Sequence, residues 1–300
     1  MLLCRLPTTP SSSDSAGRRR RFRSGVHRRR RVAALALAAL VAAAFGGVLL
    51  AGGGDGGSLL GDETVERLTV GRGARQATVV RWGEPEGAQP GVVFLHGWGR
   101  GDPRDYEAWI EHLARRGNTV IVPRYQESVR TPPGQVLANA VAGIRAALAA
   151  VPIRSGSLVI AGHSAGGALA ADYAATAASD AQLPQPRAIF AVYPGRAIRG
   201  YPGGIPVITP AAIAPGTRLV VMAGADDQVV GEGPALELFA AFQGVRLENR
   251  RFARIVDPAV DDHRAPERAG PRSRAAFWAP LDRLMTVARR RRDGASAPSP

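Results

Sequence analysis

Short, almost wholly apolar runs alternate with longer helix-like segments through most of this 300-residue chain. A run that is apolar at nearly every position, without polar alternation, is typical of a strand covered on both faces. The alternation therefore predicts an α/β fold, with a doubly wound, mostly parallel central sheet and helices on both faces. The strand-like runs are residues 77–82, 91–97, 118–123, 157–164, 187–194 and 217–224, followed by a weaker candidate at 245–252.

The segments between these runs place apolar residues at helical spacing. Asp105 and Gly117 are the predicted N-cap and C-cap of the first of them. Residues 195–216 lie between two strands and are rich in proline, so we expect them to form a rim or a minimal lid. The predicted helices are residues 105–117, 135–151, 165–178 and 233–242, with a closing helix marked by Phe277, Leu281, Leu284 and Ala288.

The net charge of +14 is concentrated at the two ends of the chain. Residues 1–31 hold ten arginines and one acidic residue, and residues 289–300 hold four arginines and Asp293. The region between them is therefore close to neutral, so we expect no nucleic-acid partner. We expect residues 289–300 to be a basic, disordered tail.

An uncharged stretch of twenty residues, 32–51, follows the basic N-terminal tail. A helix of that length can cross the roughly 30 Å core of a bilayer, and the positive flank predicts that residues 1–31 stay in the cytoplasm. A cleaved signal peptide is the alternative. We therefore expect residues 52–61 to be a glycine-rich linker and residues 62–288 to be the folded domain. That domain would be anchored at the cell membrane outside the cytoplasm, or secreted after cleavage.

The sequence Gly-His-Ser-Ala-Gly at residues 162–166 follows a predicted strand and opens a predicted helix. In that context a G-x-S-x-G sequence indicates a serine held in a tight turn, and the glycines on either side allow close packing. The helix that begins there presents free backbone N–H groups where an oxyanion would form. Ser164 is therefore the candidate nucleophile.

A serine hydroxyl needs a neighbouring base, and the chain has five histidines. We expect His163 to be structural, because it should point to the other side of the turn, and His96 to shape a loop. His263 lies in a loop before the closing helix and is the preferred base. The other two are His27 in the basic tail and His112 within a helix.

The base needs a carboxylate that holds its tautomer. Asp226 and Asp227 both follow the strand-like run 217–224. We prefer Asp227, while Asp226 could cap the turn, although the sequence alone leaves the choice between them open. Asp261 and Asp262 are sequence neighbours of His263, and neighbours rarely present their side chains to each other across a loop.

The chain order Ser164, Asp227, His263 resembles the α/β-hydrolase superfamily, over about residues 76–288. The resemblance is carried by the sequences FLHGWG, GHSAGG, AGADDQVV and DDH. It implies that these residues are nucleophile, acid and base, and that the backbone N–H groups of Trp98 and Ala165 bind the oxyanion. The HGWG loop lacks a triple glycine, and so it is similar to dienelactone-hydrolase-like and general serine esterase members.

The resemblance implies a serine hydrolase that cleaves a carboxylic ester, from a small molecule or a lipid, through an acyl-enzyme. No metal or organic cofactor is expected. Tyr125, in the sequence PRYQ after a strand, is a candidate pocket-lining residue. Two alternatives remain at this point: an acyltransferase that uses the same three residues, and a non-catalytic binding protein with this fold.

Overall fold

The computed structural model describes residues 64–99, 103–210 and 213–293. The predicted basic tail (1–31), membrane or signal helix (32–51) and linker (52–61) lie outside the described residues, as does the end of the chain from residue 294. Within the described part, no helix has both the length and the apolar character needed to cross a membrane.

Eight strands form one sheet in the order β1-β2-β4-β3-β5-β6-β7-β8. β1 and β2 pair antiparallel, and so do β2 and β4, whereas every pair from β4 to β8 along the sheet is parallel. The prediction of a mostly parallel sheet is confirmed. The strands are β1 (Val65–Val70), β2 (Ala77–Trp82), β3 (Gly91–Leu95), β4 (Thr119–Pro123), β5 (Val159–His163), β6 (Ala188–Val192), β7 (Arg218–Gly224) and β8 (Arg250–Ile255).

Helices connect the strands and close the chain. The last helix begins with Pro271–Ser273 and a π-helical turn at Arg274–Trp278. The longer helices are α1 (Glu107–Arg115), α2 (Val136–Ala150), α3 (Ala165–Ser179), α4 (Gly233–Ala241) and α5 (Ala279–Asp293). Short 3-10 turns occupy Gly73–Arg75, Arg104–Tyr106, Pro133–Gln135, Leu247–Asn249 and Ala265–Glu267.

The sheet separates two apolar layers. Val93 and Leu95 of β3 pack in one cluster, together with residues of α2, α3 and α4. Val92 and Phe94 of the same strand pack in the other, together with residues of α1 and α5. Because side chains alternate between the faces of a strand, helices on both sides explain why the central strands are apolar throughout.

The structure differs from the sequence prediction in five local places. Residues 289–293 form the end of α5 rather than the start of a disordered tail, and Arg116 rather than Gly117 is the C-cap of α1. β1 was not predicted, and the last strand begins at Arg250 rather than at residue 245. Asp105 does not cap α1: it lies in a 3-10 turn, and Tyr106 takes the N-cap position without a side-chain cap bond. The 3-10 turn explains the last difference, because it already satisfies the backbone groups that precede the helix.

Candidate active site

Three candidate residues from distant parts of the chain meet at the carboxyl edge of the sheet. Ser164 follows β5, Asp227 follows β7, and His263 lies in the loop between β8 and the closing helix. The strand register sets their spacing, since β5 lies between β3 and β6 with its end beside theirs. Sites in open parallel sheets form at this edge.

Ser164 adopts a backbone conformation that few non-glycine residues take, with φ 56° and ψ −122°. A β-carbon on Gly162 would lie 2.2 Å from the Gly166 carbonyl oxygen, and one on Gly166 would lie 2.1 Å from the Leu95 carbonyl oxygen. Only glycine fits at both positions. The Ser164 N–H donates to the Val192 carbonyl at 3.0 Å, which fixes the turn to the neighbouring strand.

The side chains of the three candidates form one hydrogen-bonded chain. Ser164 Oγ lies 2.9 Å from His263 Nε2, and His263 Nδ1 lies 2.7 Å from Asp227 Oδ2. The other oxygen of Asp227 accepts the backbone N–H groups of Val229 and Val230 at 2.9 and 3.0 Å. The carboxylate is therefore held on both sides, and the imidazole is held between acid and serine.

The environment of Asp227 favours its ionised form. Burial raises the pKa of this carboxyl, but the hydrogen bond with His263 and the two backbone N–H groups outweigh burial, and the pKa is lowered overall. Asp226 is exposed, and its carboxylate accepts the Gln228 side-chain amide at 2.8 Å. Of the two carboxylates that the sequence left open, only Asp227 contacts His263.

The loop after β3 comes close to Ser164, since a β-carbon on Gly97 would lie 3.5 Å from Ser164 Cβ. The Gly97 N–H donates to Tyr106 Oη and the Gly99 N–H donates to Gln126 Oε1, both at 3.1 Å. The N–H of Trp98 lies between these two occupied donors. Ala165 is the first residue of α3, so its N–H has no acceptor within the helix.

Tyr125 supports this loop from behind and is not among the residues that line the cavity beside Ser164. It is fully buried with φ 39°, its ring stacks on His96 at 4.3 Å, and its hydroxyl donates to the His96 carbonyl. The next residue, Gln126, donates to the Gly99 carbonyl at 2.8 Å. We expected Tyr125 on the pocket wall, but its side chain instead fills the core beneath the loop.

A cavity of about 530 Å³ opens beside Ser164. Part of its wall comes from residues 195–210, which we call the rim segment and which cover most of the predicted rim. Arg196 anchors this segment to α3 through two hydrogen bonds, 2.8 and 2.7 Å long, to the fully buried Asp172. Besides the site residues and the pair Tyr106 and His163, the wall includes apolar Trp98, Ile198, Val229 and Val230 and charged Arg104, Asp105, Arg199, Arg264 and Glu267.

Sequence reasoning missed two groups at this site. Tyr106 belongs to an apolar helical stripe, and nothing in its spacing shows that its hydroxyl reaches the loop after β3. Gln126 lies three residues after the end of β4, so its place at the carboxyl edge could be predicted, but its two bonds to Gly99 could not. Within the described residues, no group of three or more His, Cys, Asp or Glu side chains is placed to hold a metal ion.

The fold and the site define a class of protein. It is a doubly wound α/β protein in which the carboxyl edge of the sheet holds a serine in a strand-turn-helix, a histidine and a carboxylate. A family model for the alpha/beta hydrolase fold matches residues 92–229, which include Ser164 and Asp227. The match spans 138 of the 300 residues, and together with the order of the strands it assigns the alpha/beta hydrolase fold to the described domain. A search of curated proteins found no match.

Solved structures with this fold include three that cover most of the chain. Esterase B from Lactobacillus rhamnosis is 14% identical, covering 90% of this chain and 96% of that one, with a TM-score of 0.59. An esterase of the fungus Rhizomucor miehei is 16% identical (76% and 85%, TM-score 0.55). A provisionally named dienelactone hydrolase from Klebsiella pneumoniae is 19% identical (74% and 99%, TM-score 0.53). At these identities the likeness shows the fold alone.

Proposed function

We propose that the protein is a serine hydrolase that cleaves carboxylic esters through an acyl-enzyme. The observation that carries this proposal is the chain of two short hydrogen bonds from Ser164 through His263 to Asp227. Two of the structures with the same fold are esterases by name, which supports an ester as the substrate. The cavity beside Ser164 has room for a small ester or for the reacting end of a lipid ester.

The hydrogen bonds define the proton path. An ionised Asp227 can only accept, so His263 carries its proton on Nδ1 and leaves the Nε2 lone pair for the serine hydroxyl. Ser164 Oγ then attacks the ester carbonyl while Nε2 takes the hydroxyl proton. Asp227 stabilises the imidazolium that results, and Nε2 returns the proton to the departing alcohol. Water repeats these steps on the acyl-enzyme and releases the acid.

The negative charge that forms on the carbonyl oxygen needs donors that are already in place. In our proposal, the backbone N–H groups of Trp98 and Ala165 supply them. The first comes from the loop after β3 and the second from the first turn of α3, where the helix dipole adds a partial positive charge. Both are main-chain groups next to strands of the central sheet, so binding the oxyanion requires no side-chain reorganisation.

The proposal is tested by hydrolysis of p-nitrophenyl esters of increasing acyl length. We expect Ser164→Ala to lower kcat at least ~10³-fold, because it removes the atom that forms the acyl-enzyme. Ser179→Ala is the matched control, since this serine is exposed at the other end of α3 and should leave kcat unchanged. Turnover by Ser164→Ala at the wild-type rate would refute the mechanism.

Two further measurements separate the alternatives. Covalent labelling by a fluorophosphonate at Ser164 is expected of the hydrolase, whereas an unlabelled protein that turns over no ester would be a binding protein. Product analysis with an added alcohol distinguishes hydrolysis from acyl transfer: the hydrolase releases mainly free acid, whereas an acyltransferase forms mainly the new ester.

We also propose, from the sequence of residues 1–51 alone, that the domain is held at the outer face of a membrane. The test is cell fractionation with protease added to intact and to opened cells. The proposal expects membrane-bound protein that is cleaved in cells with an opened envelope while the cytoplasmic membrane stays intact. Protein recovered only in the soluble cytoplasmic fraction would contradict it.

A further inference from the structure

A buried hydrogen-bond chain joins the loop after β3 to the turn that carries Ser164. Tyr106 Oη accepts the Gly97 N–H at 3.1 Å and lies 2.7 Å from His163 Nδ1. Tyr106 is 4% exposed and His163 is 1% exposed. We propose that Tyr106 and His163 are positioning residues. They hold the loop after β3, which carries the proposed oxyanion donor Trp98, in place relative to Ser164. This inference rests on the proposed esterase function.

The protonation states of Tyr106 and His163 determine which of the two groups donates in their shared hydrogen bond. Burial raises the pKa of Tyr106, so the phenol keeps its proton, and burial lowers the pKa of His163 to about 3, so the imidazole is neutral. If the hydroxyl donates to Nδ1, only Nε2 of this pair lacks a partner. If Nδ1 donated instead, the buried hydroxyl proton would lack an acceptor as well. An unpaired buried polar group is costly, so the first arrangement is the stable one.

This chain of bonds fixes the peptide that carries the Trp98 N–H. In a trans peptide, the N–H of Trp98 points opposite to the carbonyl of Gly97. That carbonyl oxygen lies 2.7 Å from His96 Nδ1, and the N–H of Gly97 is held by Tyr106. With both ends of Gly97 held, the direction of the Trp98 N–H is set before a substrate arrives.

The packing around Gly97 leaves little freedom for the loop to shift. A β-carbon there would lie 3.0 Å from Tyr106 Oη, 3.5 Å from His163 Nδ1 and 3.5 Å from Ser164 Cβ. The ring of His163 also lies 4.8 Å from the ring of His263. The pair therefore touches the loop after β3, the serine turn and the base, which are the three parts that must stay aligned in the transition state.

The first test compares two tyrosine variants on the best p-nitrophenyl ester. We expect Tyr106→Phe to lower kcat about tenfold with KM within about twofold, because the lost contact orients a donor that acts mainly in the transition state. Tyr173→Phe is the matched control: its buried hydroxyl donates to the Pro184 carbonyl, and its loss should leave kcat unchanged. Equal kcat in Tyr106→Phe and wild type would overturn the inference.

The second test asks whether Tyr106 and His163 act through their shared bond. His163→Asn keeps a side-chain acceptor and should retain most of the wild-type kcat, whereas His163→Leu should lose about as much as Tyr106→Phe. The double variant Tyr106→Phe/His163→Leu should then lose no more than either single variant. Fully multiplicative losses would show that the two residues act independently, which contradicts the proposal.

The third test needs no turnover, so it separates this inference from the proposed function. Nitrogen-15 NMR of the His163 ring should show the Nε2–H tautomer in wild type and in Ser164→Ala at neutral pH. Tyr106→Phe removes the donor to Nδ1 and should move the Nδ1 resonance to the position of a ring nitrogen without a hydrogen bond, while the Nε2–H tautomer is kept. An unchanged spectrum in Tyr106→Phe would refute the bond that we assign, whether or not the protein hydrolyses esters.

Discussion

The two oxygens of Asp227 have different partners. Oδ2 binds the ring of His263, whereas Oδ1 accepts two backbone N–H groups from the turn that follows. The same turn therefore holds the carboxylate in place and lowers its pKa. An ionised, immobile acceptor of this kind selects one tautomer of the histidine, which the proposed mechanism requires.

Substitution of Asp227 should lower kcat far more than substitution of its neighbour Asp226. We expect Asp227→Asn to lower kcat about 10⁴-fold, because an amide can donate to Nδ1 and so favour the wrong histidine tautomer. Asp226→Asn should leave kcat within about twofold, since that side chain is exposed and its carboxylate accepts the Gln228 amide rather than contacting His263. Ester hydrolysis by both variants provides the comparison, and similar losses in the two would contradict the assignment of Asp227.

His163 should also contribute to the pH dependence of the free energy of unfolding. Its pKa falls from 6.5 to about 3 on burial, so between those values the unfolded chain binds a proton that the folded protein does not. The free energy of unfolding therefore falls as the pH drops through this window, by about 1.4 kcal/mol per pH unit. The contribution is complete above pH 6.5 and is lost toward pH 3.

The prediction is tested by urea unfolding of wild type and His163→Asn at pH 7.5 and pH 5.0. Between these values wild type should lose about 2 kcal/mol more than the variant, which has no imidazole at this position. Other groups that titrate in this range act on both proteins and cancel in the difference. Parallel losses in the two proteins would show that His163 is not kept neutral by burial.

Much of the site could be predicted from residue order and motif context. A G-x-S-x-G sequence between a strand and a helix, a carboxylate after a later strand and a histidine beyond it predicted which residues the structure brings together. The contacts of Tyr106, Tyr125 and Gln126 could not be predicted, because they join segments whose separation depends on loop conformation. The expected orientation of His163 also differed: its ring contacts His263 instead of turning away.

The rim segment is fastened at its beginning by one ion pair. Asp172, on α3, is fully buried and receives two N–H groups of Arg196 and the backbone N–H of Ile208. Burial raises the pKa of this carboxyl despite the bonds from Arg196. The cavity wall therefore depends on a charge that is costly to bury alone.

Removing the guanidinium should destabilise the protein markedly. We expect Arg196→Ala to lower the free energy of unfolding by about 3 kcal/mol, because it leaves a buried carboxylate unpaired. The comparison is Arg254→Ala, which breaks an ion pair of similar length to Glu232 on the surface and should cost less than about 1 kcal/mol. Urea unfolding measures both, and equal costs would contradict the structural role of Arg196.

The elements that the sequence predicted well are those buried on both faces. β1 was missed because it is an edge strand that pairs only with β2 and alternates apolar with polar residues, so its apolar signal is weak. The strand expected at 245–252 began too early because the alternation of apolar Val245 and Leu247 with polar residues is typical of a strand. Val245 packs in the core, but Leu247 is 72% exposed in a 3-10 turn.

Among the described residues, the members of the two apolar clusters run from Val65 to Ala288. A shortened chain of residues 62–300 should therefore keep the melting temperature and the ester hydrolysis rate of the full chain, the latter within about twofold. Circular dichroism and kcat/KM of the two proteins, measured in the same detergent, provide the check. An unfolded or inactive shortened chain would show that residues 1–61 contribute to the fold.

The two margins of the sheet, β1 and β8, have consequences for concentrated solutions of the protein. An unpaired strand edge can template pairing with another molecule, and bulky charged side chains oppose it. β8 presents exposed Arg251 and Arg254, and β1 presents exposed Arg67. These bulky charged side chains at both margins oppose the pairing of strands between two molecules, so the sheet resists growing across molecules into aggregates.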